Sequence, residues 1–94
     1  MHIGKRIKYF RGLIKPKMSQ AELAYRAFNI DNYIDAQNKL KYVEAQEDIS
    51  VKDLSKIAEV LRIRSEDFQH NNTHPTLLDR ISKPYPREKI SFKK

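Results

Sequence analysis

The stretch that decides the fold opens with Ser19-Gln20-Ala21-Glu22-Leu23-Ala24, passes through Phe28-Asn29-Ile30-Asp31 and closes with Asn38-Lys39-Leu40-Lys41-Tyr42-Val43-Glu44. Ser19 suits a helix N-cap, because its hydroxyl can accept an otherwise unpaired backbone N–H of the first turn. Glu22, three residues on, can reach back to the Ser19 N–H. Leu23, Ala24, Ala27 and Phe28 then fall on one side of that helix. Asp31 is placed to cap a second helix, in which Tyr33, Ala36, Leu40 and Val43 recur at i, i+3, i+7 and i+10. The opposite face carries Asp35, Asn38 and Tyr42, flanked by Gln37, Lys39 and Lys41. Ala24 is small enough to let the second helix cross close over the first, and Asn29 is the best local candidate for a left-handed turn position.

Working outward, Ile3, Ile7, Phe10 and Ile14 give a first helix with one apolar stripe. Lys15 precedes Pro16, which disfavours helical backbone there, so this helix should stop at about Ile14. Beyond the central stretch, Ser50 can cap a fourth helix whose apolar positions are Leu54, Ile57, Ala58 and Leu61. Ser65-Glu66-Asp67-Phe68 begins a short fifth one, with acids in its first turn. The expectation is an all-α body of five helices over residues 1–69. A basic C-terminal extension follows over residues 70–94, partly extended or disordered. Within it, Thr76 to Ile81 can form one or two turns and Lys83-Pro84-Tyr85-Pro86-Arg87 reads as extended. Phe10, Phe28, Tyr33 and Phe68 are assigned to the core.

The chain of 94 residues carries a net charge of +7, which points to a polyanionic partner. The distribution of that charge is more informative than its sum. Residues 1–17 hold Lys5, Arg6, Lys8, Arg11, Lys15 and Lys17 with no acid, and residues 70–94 hold six bases against Asp79 and Glu88. Residues 18–69 have seven bases against ten acids. Basic ends around a mildly acidic body suggest localised phosphate contacts. No cysteine is present, which removes disulfides and thiolate metal sites and suits the cytoplasm. No apolar run is long enough to span a bilayer, and the N-terminus is too polar for a signal peptide. His70 and His74 stand four apart, but Asn71-Asn72 and Pro75 argue against the helix that a metal pair would need. No nucleophile–base pair, phosphate-cradling glycine loop or carboxylate dyad is present, so neither catalysis nor a cofactor is expected.

Five segments, in order, resemble the XRE-type, lambda-repressor-like helix-turn-helix family. They are Ile3-Gly4-Lys5-Arg6-Ile7-Lys8-Tyr9-Phe10-Arg11, Ser19-Gln20-Ala21-Glu22-Leu23-Ala24, Leu40-Lys41-Tyr42-Val43-Glu44, Ile49-Ser50-Val51, and Leu54-Ser55-Lys56-Ile57-Ala58-Glu59-Val60-Leu61. The resemblance covers roughly residues 1–68. It implies a five-helix bundle that binds operator DNA as a dimer, in a family that includes phage repressors, restriction-modification controllers and antitoxins. It also implies roles for particular residues. Gln20, beside the Ser19 cap, matches a phosphate-contacting position. Gln37, Asn38, Lys41 and Tyr42, with Lys39 among them, match positions that face bases or the adjoining backbone. Arg11 and Glu44 match a salt bridge tying the first helix to the end of the reading helix. Lys5, Arg6 and Lys17 are the bases best placed for phosphate.

The chain departs from the family pattern in two respects. The stretch from Ala24 to Leu40 is several residues longer, and the common turn glycine is missing. The added residues bring Asp31 and Asp35 to the start of the reading helix, where they suit the helix dipole but oppose phosphate. The expected function is that of a sequence-specific transcriptional regulator, acting as a nucleoid-associated homodimer on double-stranded DNA. The alternative is an antitoxin-like or adaptor protein that grips a toxin or other protein partner. It would do so through Leu77, Leu78, Ile81, Tyr85, Ile90 and Phe92 of the extension.

Overall fold

A computed structural model describes residues 2–68, 88 and 90–92. Among the described residues the chain is all-helical, with α1 (Ile3–Leu13), α2 (Gln20–Phe28), α3 (Tyr33–Glu44) and α4 (Val51–Leu61). The fifth segment, Ser65–Phe68, is a single 3-10 turn and not an α-helix. One turn is enough there, because its task is to deliver Phe68 to the core. The Arg64 N–H donates to an Asp67 carboxylate oxygen and the Asp67 N–H to the Arg64 carbonyl, closing the turn on itself.

Local chemistry sets most helix ends. The Ser19 hydroxyl accepts from the Glu22 N–H at 3.0 Å, and the Ser50 hydroxyl from the Asp53 N–H at 3.2 Å. Asn29 ends α2 in the left-handed region at φ 57°, and Arg62 ends α4 there at φ 62°. Ile14 leaves α1 with extended backbone at ψ 138°, as a residue two before Pro16 permits. The start of α3 differs from expectation. Asn32, not Asp31, is the cap, with its side-chain oxygen accepting from the Asp35 N–H at 3.0 Å. Asp31 lies one residue too far back to serve this first turn.

Ile7, Phe10 and Ile14 of the first segment meet Leu23 and Ala24 of α2, Ala36, Leu40 and Val43 of α3, and Leu54, Ile57, Ala58 and Leu61 of α4 in one core. Ile3, Met18, Ala21, Ile63 and Phe68 complete it. The α2–α3 pair is the most extensive helix contact, and α2 also packs on α4. Ala24 is fully buried within α2, where a larger side chain would hold its neighbours apart. Phe10 and Phe68 meet edge to face with ring centroids 5.4 Å apart.

Tyr33 corrects the expected core, since it is 49% exposed. Its ring packs edge-on against Phe92, which also packs against Tyr25. Phe28 is only half-buried. The C-terminal end therefore returns to the outside of α2 and α3, where Arg26 Nη2 donates to the Glu88 carbonyl at 2.7 Å. The His70–His74 pair, and the expected turns between Thr76 and Arg87, lie outside the described residues.

Candidate nucleic-acid interface

Helix α3 is held most firmly at its C-terminal end. The Arg11 guanidinium donates through Nε to Glu44 Oε2 at 2.8 Å, through Nη2 to Oε1 at 3.2 Å, and through Nη1 to the Met18 carbonyl at 2.9 Å. Gln20 Nε2 adds a bond to Glu44 Oε1 at 2.9 Å. Both charged residues are buried, so each depends on the other for what water would otherwise supply. This joint ties α1, the loop before α2, the first residue of α2 and the last residue of α3 together. Gly4 completes it from the other side. The Ile3 and Gly4 N–H groups donate to the Glu47 and Gln46 carbonyls at 2.9 and 3.0 Å. A Cβ at Gly4 would fall 2.7 Å from the Gln46 carbonyl oxygen and closer still to the Glu44 carbonyl. Glycine is needed here for close approach, because all the obstructing atoms are backbone.

With one end clamped, the helical period decides what α3 presents. Ala36, Leu40, Val43 and Glu44 are buried. At about 100° per residue the direction opposite them falls on Ile34, Asn38 and Ala45, with Asp35 and Tyr42 to one flank and Lys41 to the other. Each of these six is exposed; Ile34 and Tyr42 are both 65% exposed. Gln37 points sideways, into a cleft of about 340 Å³ that it lines with Tyr33, Arg11, Lys17, Ser19, Gln20 and Ala21. The N-terminus of α2 opens on that cleft. Lys17 stands on the cleft, and the acid-free first segment also keeps Lys5, Lys8 and Lys15 exposed.

Two of the residues expected at phosphate or in the groove have partners within the fold. Arg6 is directed into the body, donating to the Asp67 carbonyl at 3.2 Å and standing 4.7 Å from the Phe10 ring centroid. Lys39 lies on the flank facing α4, with its ammonium 3.9 Å from Asp53 Oδ2 and 5.0 Å from the Phe28 ring centroid. The alternation of lysines along α3 hid this, since Lys39 and Lys41 sit about 160° apart around the axis. Gln20 and Ser19 reach the cleft, and both bond within the fold: Gln20 donates to Glu44, and the Ser19 hydroxyl accepts from the Glu22 N–H. Glu22, expected to complete that cap, pairs its carboxylate with Arg26 Nε at 3.0 Å.

Ile34 is an exposed residue of this face to which the sequence pattern assigns no role. The stripe of Ala36, Leu40 and Val43 turns it outward, and its apolar character then has no counterpart in the core. Among the described residues no cluster of three or more metal-ligating side chains occurs. No helix among them is long and apolar enough to cross a membrane. The chain matches no model of a known protein family, no curated protein and no solved structure.

Proposed function

We propose that the chain is a sequence-specific DNA-binding transcriptional regulator that lays α3 in the major groove and binds as a dimer. The observation that carries this reading is the outer face of α3. Asn38, Lys41 and Tyr42 stand exposed on it, opposite a buried stripe, in a chain whose first segment keeps four lysines in solvent. An asparagine amide can bond adenine N6 and N7 together, a match worth about 1–3 kcal/mol against the wrong base. Lys5 and Lys17, with the N–H groups at the start of α2, supply the sequence-independent hold on phosphate. The resemblance of the five segments to the lambda-repressor-like family supports the same reading. In it a palindromic operator would receive two α3 helices in successive major grooves roughly 34 Å apart.

The test is a titration of duplexes selected from a random DNA pool, at two salt concentrations. Asn38→Ala should relax base preference at one position of each half-site. Lys17→Ala should weaken binding to every sequence and shallow the salt dependence by about one phosphate contact. Selection that enriches no sequence would overturn the proposal. Phe92 bears on the antitoxin-like alternative: it packs on Tyr25 and Tyr33 of its own chain, while Leu77, Leu78, Ile81 and Tyr85 lie outside the described residues.

A further inference from the structure

Ile34 has no packing reason to be apolar. It is 65% exposed, and it is absent from both the core and the partly buried side chains packed on it. It lies roughly 40° around α3 from Asn38 and about 6 Å along the axis, less than two base-pair steps of ~3.4 Å. Its nearest neighbours on that face, Asp35, Asn38 and Lys41, are polar or charged, and the exposed Tyr42 and Ala45 stand about 12 Å or more further along the axis. A contiguous apolar patch of the kind that docks another protein is therefore not formed around it. What the face offers is one branched apolar side chain beside one amide, on a chain of net charge +7.

Resting on the DNA reading above, we propose that Ile34 is a specificity-determining residue that packs on the C5-methyl group of a thymine, within two base pairs of the adenine read by Asn38. Of the base edges in the major groove, thymine alone carries a methyl group. Isoleucine has no donor for guanine or phosphate and no acceptor for the amino group of cytosine or adenine. Contact with that methyl is the one favourable pairing open to it. Discrimination comes from removing both apolar surfaces from water, and each methyl so buried is worth about fourfold in affinity.

The experiment uses the full chain and sites selected from a random pool. Each thymine is replaced singly by deoxyuridine, which deletes the C5-methyl and keeps base pairing. The expected result is one position per half-site at which wild type loses about fourfold in affinity. It should lie within two base pairs of the preference lost in Asn38→Ala. Ile34→Val should keep the methyl dependence. Ile34→Ser, whose thermal unfolding should match wild type, should bind the thymine and deoxyuridine sites equally. An enriched sequence with no methyl-sensitive thymine, or equal sensitivity in Ile34→Ser, overturns the assignment of Ile34 and leaves the DNA reading standing. Self-association lost in Ile34→Ser, alongside methyl-independent binding, overturns it in favour of a second copy of the chain. Failure to enrich any sequence overturns the DNA reading and this assignment together.

Discussion

The two ends of α3 are held in opposite ways. At the C-terminal end a buried carboxylate takes bonds from Arg11 and Gln20, and the start of α1 closes on the following carbonyls with no room for a side chain at Gly4. At the N-terminal end an asparagine caps the helix in solvent, Tyr33 leans on an aromatic ring from the far end of the chain, and Ile34 and Asp35 are bare. The difference separates two tasks within twelve residues. The polar joint fixes the pose of the rod, so its outward residues are free of structural duty. If so, substitutions at the joint should act on stability, and substitutions on the open face should leave stability nearly untouched.

The largest effect belongs to Glu44→Ala. It leaves the Arg11 guanidinium buried without its carboxylate, a change that costs about 3–5 kcal/mol. In a chain of this size the thermal midpoint should fall by at least about 12 °C. Replacing both partners by apolar residues of similar volume, Arg11→Met with Glu44→Leu, should recover much of that loss, because the desolvation cost disappears with the charges. A single substitution that moves the midpoint by only a degree or two would show that the joint is not what holds α3.

Gly4→Ala comes next, at about 1–3 kcal/mol by denaturant unfolding. The added methyl meets carbonyl groups of residues 44 and 46, so relief requires α1 to back away from α3 and lengthen the bonds at Ile3 and Gly4. Phe92→Ala should cost about as much. It removes two edge-to-face ring contacts, together worth about 1–3 kcal/mol. The loss should shrink in a Tyr25→Ala/Tyr33→Ala background to what the packing of Phe92 against the core contributes, since the ring partners are then gone. A loss undiminished there would place the stabilising contact of Phe92 elsewhere.

These positions also mark where sequence stops being sufficient. Ser19, Asn29 and Ser50 act on backbone groups within four residues of themselves, and their roles could be read directly from spacing. The apolar stripes at Ile3, Ile7, Phe10 and Ile14, and at Leu54, Ile57, Ala58 and Leu61, were legible because the helical period alone assigns them inward. The placements that no local pattern encodes are those whose partners are distant in the chain. Tyr33 fits the apolar period of α3, yet it answers to Phe92, and Arg6 answers to the carbonyl of Asp67. Lys39 was grouped with Lys41 by proximity in sequence, although the turn of the helix puts it against Asp53. The need for glycine at position 4 depends on where α3 ends, which no local pattern encodes.

The smallest effect sharpens the comparison most. Asp35 sits exposed in the first turn of α3, where a carboxylate favours the helix dipole by about 0.3–1 kcal/mol. Asp35→Asn should therefore lower stability by no more than that. On the DNA reading the same carboxylate faces a phosphate-lined groove, and a unit charge at about 7 Å in water opposes binding by roughly threefold. Affinity for every duplex should rise by about that factor in Asp35→Asn, with the gain shrinking as added salt screens the charge. A gain on random duplexes coupled to a loss on the selected site would instead assign Asp35 to reading, as an acceptor for a cytosine amino group. Unchanged affinity on both would place the first turn of α3 outside the groove. The remaining contacts would then be confined to Asn38 and beyond, at the end of the helix that the Arg11–Glu44 joint holds still.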